Sequence, residues 1–159
     1  MFPPYSRDML RALSAERVEY LLVGGYAIGL HGFNRATGDI DFWVRRTPEN
    51  AARVMRALKV FGAPLTGLTE ADLDAPKAVF QLGVAPERID ILTSTSGVEF
   101  DEAWRGRIFG ALDGIEVPVI GRGELVVNKR ASGRPKDLID LDWLERHPSR
   151  TDGQLSRPR

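Results

Sequence analysis

Arg35-Ala36-Thr37-Gly38-Asp39-Ile40-Asp41-Phe42-Trp43-Val44 begins as a polar turn and ends as an apolar run. From Asp39 to Phe42 acid and hydrophobe alternate, the period of a strand with one polar and one buried face. Residues i and i+2 of a strand share a face about 6.5–7 Å apart. Asp39 and Asp41 therefore converge, with Ile40 and Phe42 on the opposite face. Two carboxylates so placed can share one or two hard cations. Mg²⁺ takes oxygen ligands at ~2.0–2.1 Å and keeps positions for water or phosphate. Two such ions ~3.5–4 Å apart clamp an in-line phosphoryl displacement.

The bare Asp-x-Asp pattern is weak, because it occurs three times: at Asp39/Asp41, Asp72/Asp74 and Asp140/Asp142. The last two lie in polar segments that read as solvated. Only Asp39/Asp41 opens a core-like strand, where burying acids is costly unless a cation or hydrogen-bond donors compensate. Upstream, the apolar run from Val18 to Val23 reads as another strand, broken by Gly24-Gly25. Glycines between strand and helix permit positive φ and close backbone approach, and leave N–H groups for an anion. Neither Gly-x-Gly-x-x-Gly nor a Gly-Lys-Ser/Thr loop is present, so dinucleotide-binding and P-loop sites are not supported.

Two further elements carry chemistry. Asp90 is a lone acid between isoleucines in Arg88-Ile89-Asp90-Ile91-Leu92, a strand-like segment. It reads as a third metal ligand, as a base for an attacking hydroxyl, or as an edge-strand acid facing solvent. Lys129-Arg130-Ala131-Ser132-Gly133-Arg134-Pro135-Lys136 concentrates cations between two helical segments. It reads as a phosphate contact or as a solvated face.

The remaining pattern predicts helices from Ser6 to Glu16, over Tyr26–His31, from Pro48 to Phe61 behind a Thr47 cap, over Glu70–Leu73, over Gly123–Ala131 and over Pro135–Leu144. Strands are expected at Val79–Val84 and Arg88–Leu92, and as a hairpin, Ile108–Leu112 and Ile115–Ile120, around Asp113-Gly114. Strands and helices mix without strict alternation. That predicts an α/β (α+β) domain over residues 1–145, a small mixed β-sheet with helices packed on it. Residues 146–159 read as a disordered basic tail, four arginines against one aspartate. Trp43, Trp104 and Trp143 read as core residues, and His31 as packing at a helix end.

The totals narrow the function classes. Lys+Arg and Asp+Glu are 22 each, so no global field draws nucleic acid or anionic membrane. There is no cysteine, which removes disulfides, thiolate metal sites and a thiol nucleophile. Met1-Phe2-Pro3-Pro4-Tyr5 has no basic region leading into an apolar run, so no signal peptide is expected. No apolar stretch approaches the ~20 residues of a membrane span. A cytoplasmic protein without membrane contact is expected.

Gly24-Gly25, Arg35/Thr37/Asp39/Asp41, Asp90 and Lys129…Arg134/Lys136/Asp137…Asp140 together resemble the nucleotidyltransferase superfamily, the polymerase-β-like fold. They are most similar to the small stand-alone branch related to AbiEii-type abortive-infection toxins. The resemblance covers roughly residues 18–144. One departure is Gly24-Gly25-Tyr26, where the wider superfamily has Gly-Ser with a hydroxyl on phosphate. The resemblance implies a Mg²⁺-dependent transfer of NMP from an NTP, ATP foremost, to a hydroxyl of a protein or RNA acceptor. Asp39, Asp41 and Asp90 would be the catalytic and metal residues, one or two ions being held. Gly24, Gly25, Arg35, Thr37, Lys129, Arg134 and Lys136 would serve the nucleotide and its phosphates. The branch's association with toxin–antitoxin modules implies a cognate toxin or antitoxin partner. The alternative is a non-catalytic nucleotide-binding or antitoxin-like module acting through a protein partner.

Overall fold

The computed structural model describes residues 2–148. In chain order the elements are α1 (Pro4–Ala15), β1 (Tyr20–Val23), α2 (Gly24–Leu30), β2 (Asp39–Val44), α3 (Pro48–Phe61), α4 (Glu70–Asp74), β3 (Val79–Leu82), β4 (Arg88–Leu92), α5 (Phe100–Arg105), β5 (Ile108–Leu112), β6 (Ile115–Val119), α6 (Arg122–Ser132) and α7 (Pro135–Arg146). Six strands form one sheet in the order β3-β4-β2-β1-β6-β5. The pairs β1/β6 and β2/β4 are parallel; β1/β2, β3/β4 and β5/β6 are antiparallel. The expected mixed sheet with helices packed on it is what the chain builds.

Each helix has a local cause. Pro48 sits at the first turn of α3, Thr47 caps it by accepting from the Asn50 N–H at 3.1 Å, and Gly62 ends it at φ 91°. Ala51, Val54, Ala57 and Leu58 form its buried face, and α3 packs against α1, whose Met9, Leu10 and Leu13 are fully buried. The α1 start differs from expectation. Pro4 opens the helix, and Ser6 is a buried residue inside it rather than its cap. Proline is favoured at that position because its missing N–H is unneeded there.

Other boundaries shift by a residue or two. The helix α5 is an addition to the expected set; six residues are too few to show a helical period. Trp43 is buried core, while Trp104 and Trp143 are only partly buried against it. His31 caps the end of α2 and its Nε2 lies 2.8 Å from the Ile120 carbonyl. The basic tail expected at 146–159 lies, from residue 149 onward, outside the described residues.

A buried amide ties the central strands to the helical layer. Asn50, 2% exposed, accepts from the Glu19 N–H at 2.8 Å and donates to the carbonyls of Glu19 and Arg45, each at 2.9 Å. Those residues lie just before β1 and just after β2, so one side chain ties the two strands together at the end of the pair away from Asp41.

Candidate active site

The sheet register assembles the carboxylates. In parallel β2/β4 pairing Asp39 lies opposite Arg88 and Asp41 opposite Asp90. In antiparallel β1/β2 pairing Asp41 lies opposite Val23, the last residue of β1. Asp39, Asp41 and Asp90 each offer one oxygen, all within 4.8 Å of one another. Asp90 lies far along the chain from Asp41, and strand register brings the two together.

The double glycine is explained by what it touches. Gly24 has φ +71°, and a Cβ there would lie 2.0 Å from Asp41 Oδ2. A Cβ on Gly25 would lie 2.5 Å from Thr37 Oγ1. The pair therefore lets the turn into α2 close onto Asp41 and Thr37. Thr37 in turn donates to the Asp39 carbonyl at 3.1 Å and shapes the approach to β2.

Burial first, then the charges of Asp39 and Asp90, push the Asp41 carboxyl up to about 8. Asp90 is 5% exposed, and its Oδ1 is buried without a hydrogen-bond partner. An all-oxygen donor set, one orphaned buried oxygen and crowded like charge fit a hard divalent cation. Arg88, a residue the sequence reading passed over, supplies the cationic contact seen here. Its Nη2 lies 3.2 Å from Asp39 Oδ2 and 3.1 Å from Asp90 Oδ2. The pattern Arg88-x-Asp90 on a strand was the available signal, since i and i+2 share a face.

A cavity of about 470 Å³ opens on this cluster and reaches α6 and α7. Gly24, Lys129, Arg134 and Lys136 line it together with the three aspartates; Gly25, Arg35 and Thr37 do not. Lys129 is 4% exposed and lies 3.3 Å from Asp137 Oδ1 and 2.9 Å from Asp140 Oδ2. Arg35 grips Asp140 with two contacts of 2.7 Å, and Arg134 Nε meets Asp137 Oδ2 at 2.8 Å. Arg134 remains mostly exposed, and Lys136 is exposed without an ion pair among the described residues. Asp140 corrects an expectation: it is fully buried, not solvated, because two cations enclose it.

A family model described as "Nucleotidyltransferase of unknown function (DUF6036)" matches residues 8–145. The chain belongs to this family. No curated protein sequence matches it. Its fold is similar to a crystal structure from Thermotoga maritima, TM1012, provisionally assigned as a nucleotidyltransferase. That likeness has a TM-score of 0.56 at 18% identity, covering 92% of this chain and 97% of the other. The fold class expected from the sequence is thereby matched, and the superfamily resemblance holds at the level of the family. Among the described residues no helix is long and apolar enough to cross a membrane.

Proposed function

We propose that this protein transfers a nucleoside monophosphate from an NTP, ATP foremost, to a hydroxyl of a protein or RNA acceptor. The observation that carries the reading is the convergence of Asp39, Asp41 and Asp90 in a cavity bordered by cations. Mg²⁺ held by these three residues, as one or two ions, would neutralise phosphate charge and polarise the phosphoryl oxygens. The free edges of Arg134 and Lys136, and Lys129 behind them, border the space for the triphosphate, with Gly24 on its other side and Gly25 behind it, packed against Thr37. Arg35 and Thr37 act by shaping: one braces α7 through Asp140, the other positions β2.

The acceptor oxygen attacks the α-phosphorus, an O–P bond forms, and the bond to the β-phosphate oxygen breaks to release pyrophosphate. Asp90, as third ligand or as base, would complete the site, in the second role taking the hydroxyl proton. Most of the rate would come from positioning and charge stabilisation. A cytoplasmic role in a toxin–antitoxin module, beside a cognate partner of the AbiEii kind, is the setting this reading favours.

Purified protein, Mg²⁺ and each α-labelled NTP, offered protein and RNA acceptors, test it. Label should pass to one acceptor class and be lost with the cation or in D39A/D41A. Equal labelling by wild type and that variant, or none at all, sinks the enzyme. One observation favours a second reading, a nucleotide-binding or antitoxin-like module without turnover: Arg88 already pairs with one oxygen each of Asp39 and Asp90. Mg²⁺-dependent NTP binding without transfer, together with tight binding of a protein partner, would select it.

A further inference from the structure

Beyond the far end of β2 lies a second cavity, also about 470 Å³, whose wall includes Trp43, Arg46, Lys77, Ser94 and Phe100. Ser94 and Thr95 line both this cavity and the carboxylate cavity, so the two share a wall. Its polar groups are mostly donors. Arg46 and Lys77 are exposed, and neither side chain has an ion-pair or hydrogen-bond partner among the described residues. Ser94 Oγ accepts the Lys77 N–H at 2.9 Å and Thr95 Oγ1 accepts Asn128 Nδ2 at 2.8 Å, which leaves both hydroxyl hydrogens free. Trp43 is 2% exposed, and its indole N–H has no partner.

The cavity's acids do not cancel this. Asp101 is engaged by Arg45, leaving exposed Glu99 as the acid opposed to Arg46 and Lys77. Lys77 is also held at φ +60°, a conformation uncommon outside glycine. Such strain persists where the surroundings fix it. Here its own N–H is bound to Ser94, and the next N–H is bound to Thr93 Oγ1 at 2.8 Å. Partly buried Phe100 gives the wall an apolar portion beside these donors.

Donors converging from several directions suit a group with several acceptor oxygens, and Phe100 beside them offers the attached sugar or base an apolar edge rather than a stacking face, because Arg45 and Trp104 already lie against its ring. We propose that this cavity holds the phosphate one unit back from the attacking hydroxyl, so that the acceptor is a nucleic-acid 3′ end. The inference rests on the transferase reading and names its acceptor. The shared Ser94–Thr95 lining is the reason: it sets the two cavities side by side, so a phosphate in one lies next to the space in front of the aspartates in the other.

The test follows the Trp43 indole N–H resonance in the ¹⁵N-labelled full chain, assigned with W43F, without metal or NTP. The dinucleotide ApA, with one phosphodiester and a free 3′-hydroxyl, should shift it saturably. R46A/K77A, both exposed positions, should weaken ApA at least tenfold, and E99Q should tighten it. D39A/D41A should leave ApA binding intact, so a failed transfer assay with ApA still bound would sink the transferase and spare the cavity. No saturable shift, adenosine binding as well as ApA, or an unchanged affinity in R46A/K77A would each overturn the proposal. So would a phosphoserine peptide binding more tightly than ApA, which would assign a protein acceptor instead.

Discussion

Two clusters of aspartate, one lining a cavity and one mostly behind its wall, behave in opposite ways. At the β2/β4 end, Asp39, Asp41 and Asp90 crowd together, with Arg88 the one cation in ion-pair contact with them among the described residues, and Asp41 is pushed up to about 8. On α7, burial alone would raise Asp137, but hydrogen bonds from Arg134 and Ser132 and the Lys129 charge hold it at about 2. Asp140 is likewise lowered: Arg35 and Lys129 overcome its burial. The same side chain serves as scaffold where cations enclose it and as a candidate binding site where they do not. One cluster stabilises the empty protein; the other carries a cost that a ligand can relieve.

The sharpest way to break this comparison is to unbalance the scaffold. Asp140→Ala leaves Lys129 buried without its 2.9 Å partner and frees Arg35. Removing one member of a buried pair costs about 3–5 kcal/mol, which urea unfolding will read as a loss of midpoint at unchanged slope. If stability hardly moves, the balanced cluster is not structural. The mirror experiment is Asp41→Asn. Transfer should fall on the order of 10²–10³-fold, while the metal-free protein should melt no lower than wild type, since a crowded charge has gone. A variant that loses stability as well as activity would erase the distinction.

Acid separates the clusters further. Asp137 titrates near 2 in the fold against 3.8 outside it, so its contribution is present above pH 3.8 and is lost as pH falls toward 2. That loss is roughly 2 kcal/mol. Asp137→Asn should flatten the fall of stability below pH 4. Asp41 has the opposite sign. Between 3.8 and about 8 the folded protein holds a proton that the unfolded chain has released, so this residue lowers stability as pH rises through that window. Melting across pH 5–8 with and without Mg²⁺ measures it, and the cation's benefit should grow with pH.

Arg88 gives the smallest effect. It is partly exposed and competes with any cation for Asp39 and Asp90. Exposed pairs contribute about 0.5–1 kcal/mol, so Arg88→Ala should tighten divalent-cation binding about two- to fivefold by calorimetry. Weaker binding would mean that Arg88 braces the ligands rather than competing with them.

Legibility in the sequence followed the range of the forces. The alternation at Asp39–Phe42, the Thr47-Pro48 start and the Asp113-Gly114 turn are local chemistry, and β2, α3 and the β5/β6 hairpin fall where that chemistry puts them. The carboxylate triad was legible because each strand carried its own odd acid. What stayed hidden depends on pairing across the chain. Arg35 and Asp140 are 105 residues apart, and nothing in either segment announces the other. Asn50 looks like any polar residue in the first turn of a helix until its partners at Glu19 and Arg45 are seen. The Lys129 segment reads as cations for phosphate or as a solvated face, yet Lys129 is enclosed by Asp137 and Asp140, while Arg134 and Lys136 stay exposed.

Gly24 gives the experimenter an unusual handle. A single methyl group there would stand 2.0 Å from Asp41 Oδ2, at a backbone angle that L-residues rarely adopt. Gly24→Ala alters no charge and removes no ligand, yet it must move the carboxylate. It offers a silent twin of the protein, one with an unaltered outer surface for partner capture and a centre displaced by one carbon.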